Sequence, residues 1–234
     1  MKASLLRLAA VVGLSIGALA LPTTAFAGGG GGSLCGPGGS GQVMNCHFSG
    51  LFAQAEYRAV SSDNIYTDVG IGAMNGRSLE AGSVPPDDQS SAYISISKVT
   101  SDPANPYGKP IVLVSLWGSI PLTSGFSMDK NLSTARLESV QIPVSGFDEN
   151  GAVDSRIVTV NATWTGSGDI SHSTFTYSFR SGGYMYRERS KSAFRNAAVS
   201  TSAFDGSTEW LSGLDLVFAN LQSASDATLT ISRA

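Results

Sequence analysis

From Phe48 onward, apolar residues recur at every second position in short runs broken by Gly, Pro, Asp and Asn. No segment longer than about ten residues carries a helical period. The clearest run is Arg156 to Thr165, where Val158, Val160, Ala162 and Trp164 point one way and Thr159, Asn161, Thr163 and Thr165 the other. One buried face and one wet face indicate an antiparallel sheet. Candidate strands lie near 48–59, 65–74, 92–100, 110–118, 136–144, 154–165, 171–180, 184–195, 213–219 and 226–233. Ile111 to Trp117 is apolar on both parities, which predicts a central strand. The final run sets Ala227, Leu229 and Ile231 against Thr228, Thr230 and Ser232. Ser207 to Leu216 comes nearest to a helix, and Gly213 weakens it.

These runs predict an all-β, antiparallel two-sheet β-sandwich, immunoglobulin-like or jelly-roll-like, in which each sheet covers the other's apolar face. A β-barrel is the alternative. No fixed-period repeat occurs, which argues against propellers and solenoids.

The start of the chain follows another pattern. Lys2 and Arg7 precede an apolar run from Leu8 to Leu21, then Pro22 and the small-x-small site Ala25-Phe26-Ala27. This reads as a signal peptide over 1–27, cleaved after Ala27, because the run is shorter than the roughly 20 residues that span a bilayer. The expected organisation is that signal peptide, a Gly-rich arm over 28–47 and a single β-sandwich domain over 48–234. The expected location is secreted, extracellular or periplasmic, with no transmembrane segment in the mature chain. Cys35 and Cys46 are the two cysteines. In an exported chain they read as a disulfide tying down the arm.

Signatures of catalysis are missing. The two histidines, His47 and His172, fall in different predicted strands, and neither an H-E-x-x-H run nor a G-x-S-x-G elbow occurs. The S-x-x-K matches at Ser95 to Lys98 and Ser127 to Lys130 read as chance in a serine-rich chain. Asp148-Glu149-Asn150-Gly151 reads as a turn, with Asn150-Gly151 setting the reversal. A surface calcium site is its alternative, although the EF-hand spacing is absent. No cofactor or metal is implied.

Charge is uneven. Between Arg180 and Arg195 the chain is +4, against −9 for the rest of the sequence after residue 27. A type I′ turn at Gly182-Gly183 would pair Ser181 with Tyr184, Arg180 with Met185, Phe179 with Tyr186, Ser178 with Arg187 and Thr176 with Arg189. Arg180, Arg187, Arg189 and Lys191 then share one face, the candidate ligand-binding residues for an anionic cell-surface polymer or glycan. Phe175, Tyr177, Phe179 and Tyr186 share the other, expected to be buried. Nucleic acid is the weakest partner, because the aromatics lie away from the cations and the domain is net acidic.

The stretch Val158 to Asp169, with Ala193 to Val199 and Leu132 to Leu137, resembles a pattern in uncharacterised exported bacterial β-rich proteins. The resemblance implies a secreted bacterial β-domain and lends no catalytic residue. The expected function is a secreted, non-catalytic β-sandwich acting as a surface-associated or binding module. A structural or interaction protein of the envelope comes second and a glycan-active hydrolase third.

Overall fold

The computed structural model describes residues 43–79, 87–100 and 109–232. The predicted leader and most of the glycine-rich arm lie outside them. The elements are β1 (Val43–Val60), β2 (Ile65–Leu79), β3 (Asp87–Thr100), β4 (Ile111–Pro121), β5 (Phe126–Met128), β6 (Thr134–Asp148), β7 (Gly151–Ser181), β8 (Tyr184–Phe204) and β9 (Asp215–Ser232). All pairings between them are antiparallel. β1 begins inside the segment read as arm. The predicted runs at 154–165 and 171–180 are one strand, joined through an irregularity between Ser167 and Ser171. Those at 213–219 and 226–233 are also one strand.

The strands form a single sheet in the order β4-β3-β2-β1-β9-β8-β7-β6-β5, and β4 also pairs with β6. That pairing makes the sheet ring-like, so the expected two-sheet sandwich is corrected. A sandwich keeps free edges on each sheet, whereas here the β4 edge is consumed by β6. The seam pairs Ser115 with Phe147, Leu116 with Gly146 and Trp117 with Ser145. Two glycines allow it. A Cβ on Gly146 would stand 2.0 Å from the Ser115 carbonyl oxygen, and its φ of +136° is one that side chains disfavour. A Cβ on Gly118 would stand 2.1 Å from the Pro143 carbonyl oxygen.

Alternation places the core inside the ring. Val158, Val160, Ala162 and Trp164 are buried together, as their spacing predicts, with Ile71, Ile94, Leu116, Ile142 and Leu221 from strands around the circuit. Tyr57 donates its hydroxyl to Thr201 Oγ1 at 2.7 Å, and the Trp164 indole N–H donates to the Gln54 carbonyl at 3.0 Å. β4 departs from the central strand expected of it. Val114 and Leu116 are buried, but Trp117, on the opposite parity, is exposed, and so are Ile111 and Val112, which lie outside the three-residue pairing with β6.

One end of the ring is shut. The segment after Phe204, the nearest approach to a helix in the sequence, is a turn-rich loop that drops Trp210 onto the core. Its indole N–H donates to Asp205 Oδ2 at 3.1 Å, and its backbone N–H donates to the Ala203 carbonyl at 2.9 Å. The Asp205 side chain is 1% exposed and also receives Arg156 Nη1 at 3.4 Å. Arg156 pairs with Asp148 as well. Asp148 further accepts the Asn150 N–H at 2.8 Å, so this carboxylate holds the reversal. The two-residue turn is Glu149-Asn150, and Gly151 pairs with Asp148 instead of sitting in the turn.

Candidate site at the open end

At the other end β1, β2, β3, β7, β8 and β9 run on past the ring. Their inner faces continue the inner face of the core, and register aligns them in rows. One row runs Arg195, Leu221, Ala53 and Ala73 across β8, β9, β1 and β2. The next is Ala193, Ser223, Leu51 and Asn75, with His172 of β7 beside Ala193. Above it come Lys191, Ser225, Ser49 and Arg77, the last opposite Asp88 of β3, then Arg189, Ala227 and His47. The face thus passes from apolar to hydroxyl-rich to cationic within a few residues.

Two adjoining cavities of about 460 Å³ and 870 Å³ open on these rows. The smaller is lined by His47, Ser49, Arg77, Arg189, Lys191 and Ser225. The larger shares Ser49, Arg77, Lys191 and Ser225 and adds His172 and Lys130, the latter from the loop between β5 and β6. Leu132 in that loop is buried and forms part of the floor. Arg195 is held low, donating to the carbonyls of Gly168 at 3.0 Å and Leu132 at 3.4 Å. Among the described residues, Arg187, Arg189 and Lys191 form no ion pair.

The hairpin register is the one expected at every predicted pair, and Gly182 and Gly183 have φ of +54° and +83°. Positive φ at both positions belongs to a type I′ turn. Arg180, Arg187, Arg189 and Lys191 therefore share the inner face, where Arg189 and Lys191 line the cavity. Arg187 and Arg180 stand further toward the tip, and Arg180 Nη2 lies 3.5 Å from Met185 Sδ. The aromatic face departs from expectation. Phe175, Tyr177 and Phe179 are 52%, 47% and 46% exposed rather than buried. The core lies on the cationic side of this hairpin, so the aromatic side turns outward.

Acids follow the aromatics. Glu188 and Asp226 occupy the outer parity of β8 and β9. Tyr186 donates its hydroxyl to Glu188 at 3.0 Å; burial first, and then that bond and the carboxylate's charge, push the phenol up to about 12. Burial, then the charge of Glu188, also raises the Asp226 carboxyl above its ordinary range. Thr228 is buried on this same side, against the pattern that set it among the wet positions. On β8 and β9 these acids thus stand on the parity opposite Arg187, Arg189 and Lys191. His47, His172, Arg77 and Lys130 were not singled out as site residues from the sequence, because only non-local register brings them beside Arg189 and Lys191.

Among the described residues, no group of three His, Cys, Asp or Glu side chains could hold a metal ion, and no helix is long and apolar enough to cross a membrane. Cys46 is buried and is not a free thiol. Cys46 is disulfide-bonded, and Cys35, the other cysteine of the sequence, lies outside the described residues.

No protein-family model matches this chain, and no curated protein does. Solved structures do. An acetoacetate decarboxylase-like enzyme from Sphingomonas wittichii RW1 is 8% identical, covering 81% of this chain and 92% of that one with a TM-score of 0.29. The enduracididine biosynthesis enzyme MppR, complexed with the condensation product of pyruvate and imidazole 4-carboxaldehyde, is 11% identical over 80% of this chain and 87% of that one, TM-score 0.27. The outer membrane protease OmpT from Escherichia coli is 10% identical over 81% and 95%, TM-score 0.17. The expected β-sandwich is corrected to one ring-like sheet. The expectation was a non-catalytic binding module, whereas the first two neighbours are enzymes. At these TM-scores the neighbours lend this chain neither an activity nor a residue.

Proposed function

We propose that the open end of the ring receives an anionic ligand carrying two or more carboxylate, sulfate or phosphate groups. The observation that carries this reading is the pair Arg189 and Lys191, cations that form no ion pair among the described residues and that line a concave face beside Ser225 and Ser49; Arg77 lies on the same row, opposite Asp88 of β3 in register. Arg189 and His47 extend it toward the rim. Arg189 and Lys191, which form no ion pair among the described residues, focus positive potential on a concave face, and hydroxyls supply donors to a bound oxyanion. Glu188 projects from the opposite face; Asp226 has the same parity but borders the smaller cavity.

An acidic cell-surface polysaccharide lying in the open cup and a free multivalent anion present the same chemistry. The test is calorimetric titration at low salt with citrate, and separately with a sulfated oligosaccharide, for wild type, Arg189→Ser with Lys191→Ser, and Arg180→Ser. The double variant should bind at least ten-fold more weakly. Arg180→Ser, altered outside the cavity, should match wild type. Binding should weaken on going to 0.15 M salt, where screening acts over about 8 Å. A preference for the oligosaccharide would identify the polymeric source. Equal binding by wild type and the double variant would overturn the reading.

A further inference from the structure

The β7 strand outlasts its neighbour β6. Their pairing ends with Thr165 opposite Thr134, followed by a last bond from the Gly166 N–H to the Ser133 carbonyl at 2.7 Å. From Ser167 to Ser181 the strand has β8 on one side and, among the described residues, no strand on the other. Proteins blunt such edges with lysine, proline or bulges, because unpaired N–H and C=O groups template another strand. From Ser171 to Ser181 this edge has no lysine or proline, and its pairing with β8 is regular. Its outer face carries the exposed rings of Phe175, Tyr177 and Phe179. Tyr186 and Tyr184 of β8 extend that stripe, with ring centroids 6.0 Å from Tyr177 and 6.3 Å from Phe179.

We propose that this edge pairs with the same edge of a second copy of the chain, antiparallel, about a two-fold axis through Tyr177. The hairpin geometry decides which registers are open. In a two-residue hairpin closed by Ser181 and Tyr184, the odd-numbered residues of β7 exchange their backbone bonds with β8. The N–H and C=O groups of Thr174, Thr176, Ser178 and Arg180 therefore point outward. With Tyr177 on the axis, Thr176 meets Ser178 of the second copy, and both have outward groups to give.

The same register places Tyr177 against Tyr177, and Phe175 against Phe179 of the second copy, in the non-hydrogen-bonded pairs where side chains approach most closely. Arg180 falls opposite Thr174, so no cation faces a cation. Moving the axis to Thr176 sets Phe179 against Ser173, and moving it to Ser178 sets Phe175 against Ser181. Only the Tyr177 register pairs every ring with a ring.

Covered aromatics bury about 150–250 Å² each. With half of each ring already packed, six rings bring on the order of 600 Å² to the contact. The strand edge itself adds enough to approach the ~1,200 Å² lower bound of specific interfaces, which suits a reversible dimer. The axis stands perpendicular to the sheet, so both cationic faces lie on the same side of the assembly.

Sedimentation equilibrium tests the pairing. Wild type should show a concentration-dependent monomer–dimer equilibrium in the micromolar range. Tyr177→Lys and Tyr177→Glu, each alone, should be monomeric, since each sets like charges against each other on the axis. Mixing the two should restore dimers, because only a register that opposes residue 177 to itself creates a Lys–Glu pair there. Thr176→Pro, which removes an outward N–H and leaves the β8 ladder intact, should also be monomeric with an unchanged circular dichroism spectrum. Wild type that stays monomeric throughout, Tyr177→Lys that dimerises as wild type does, or a mixture that stays monomeric would each overturn the proposal.

Discussion

The inward-facing side of β8 has two characters along its length. Toward the shut end it presents Ala203, Thr201, Val199 and Ala197 to a packed interior, where Trp164, Leu221 and Trp210 close around them. Past Arg195 the same parity presents Lys191, Arg189 and Arg187 to open space. The alternation is unbroken, so the contrast comes from what stands opposite. In the ring, facing strands supply apolar partners and exclude water. Beyond it β4, β5 and β6 have ended, and a solvated cation costs nothing to keep there. Burial makes the first region a stability element and leaves the second free to carry a ligand.

Substitutions on the two regions should separate sharply. Trp164→Ala should cost about 3–5 kcal/mol in denaturant unfolding, since a fully buried indole leaves a cavity its neighbours cannot fill. A loss below ~1 kcal/mol would show that the ring interior is loosely packed and that the contrast is overstated. Gly146→Val should cost about 1–3 kcal/mol, as backbone and not a flexible side chain stands where its Cβ would go. Because the seam closes the sheet, this variant should also raise amide exchange in β4 before other strands.

Asp205→Asn probes the shut end through pH. Burial raises the Asp205 carboxyl, but donors from the Ser207 and Thr208 backbones, the Ser207 hydroxyl and the Trp210 indole outweigh it and hold the group below its ordinary range. A depressed folded value means stability that is complete above the unfolded value near ~4 and lost as pH falls through the folded one. The variant should therefore be about 1–2 kcal/mol less stable than wild type at pH 7, and the gap should narrow in that acidic window. A gap that persists unchanged below pH 3 would place the effect in packing instead.

At the open end, Arg189→Ser should change stability by less than about 0.5 kcal/mol while weakening anion binding. A stability loss comparable to that of Trp164→Ala would show that the cationic row is structural. The smallest effect is expected from Asp226→Asn on the outer face. A raised folded value in an acid means stability that declines as pH rises above the unfolded value. Removing the charge should thus stabilise slightly near pH 7, by a few tenths of a kcal/mol, and do nothing at pH 3.

By itself the sequence determined what depends on near neighbours. The two-residue period of Val158 to Trp164 settled strand and face together, because one-sided burial forces alternation. Gly182-Gly183 settled the turn, and a two-residue turn leaves one register, so the pairing of residues 176–189 followed residue by residue. Which side of that hairpin met the core did not follow. Aromatic content pointed to one face, but the core lay on the other, since β7 and β8 inherit their orientation from the ring into which they continue. Ring closure was equally out of reach. It rests on Gly118 and Gly146 meeting backbone on strands that lie apart in sequence, and no local pattern records that contact. The cup is tertiary for the same reason: Lys191 and Arg77 lie more than a hundred residues apart, and only four strands in register set them on one row.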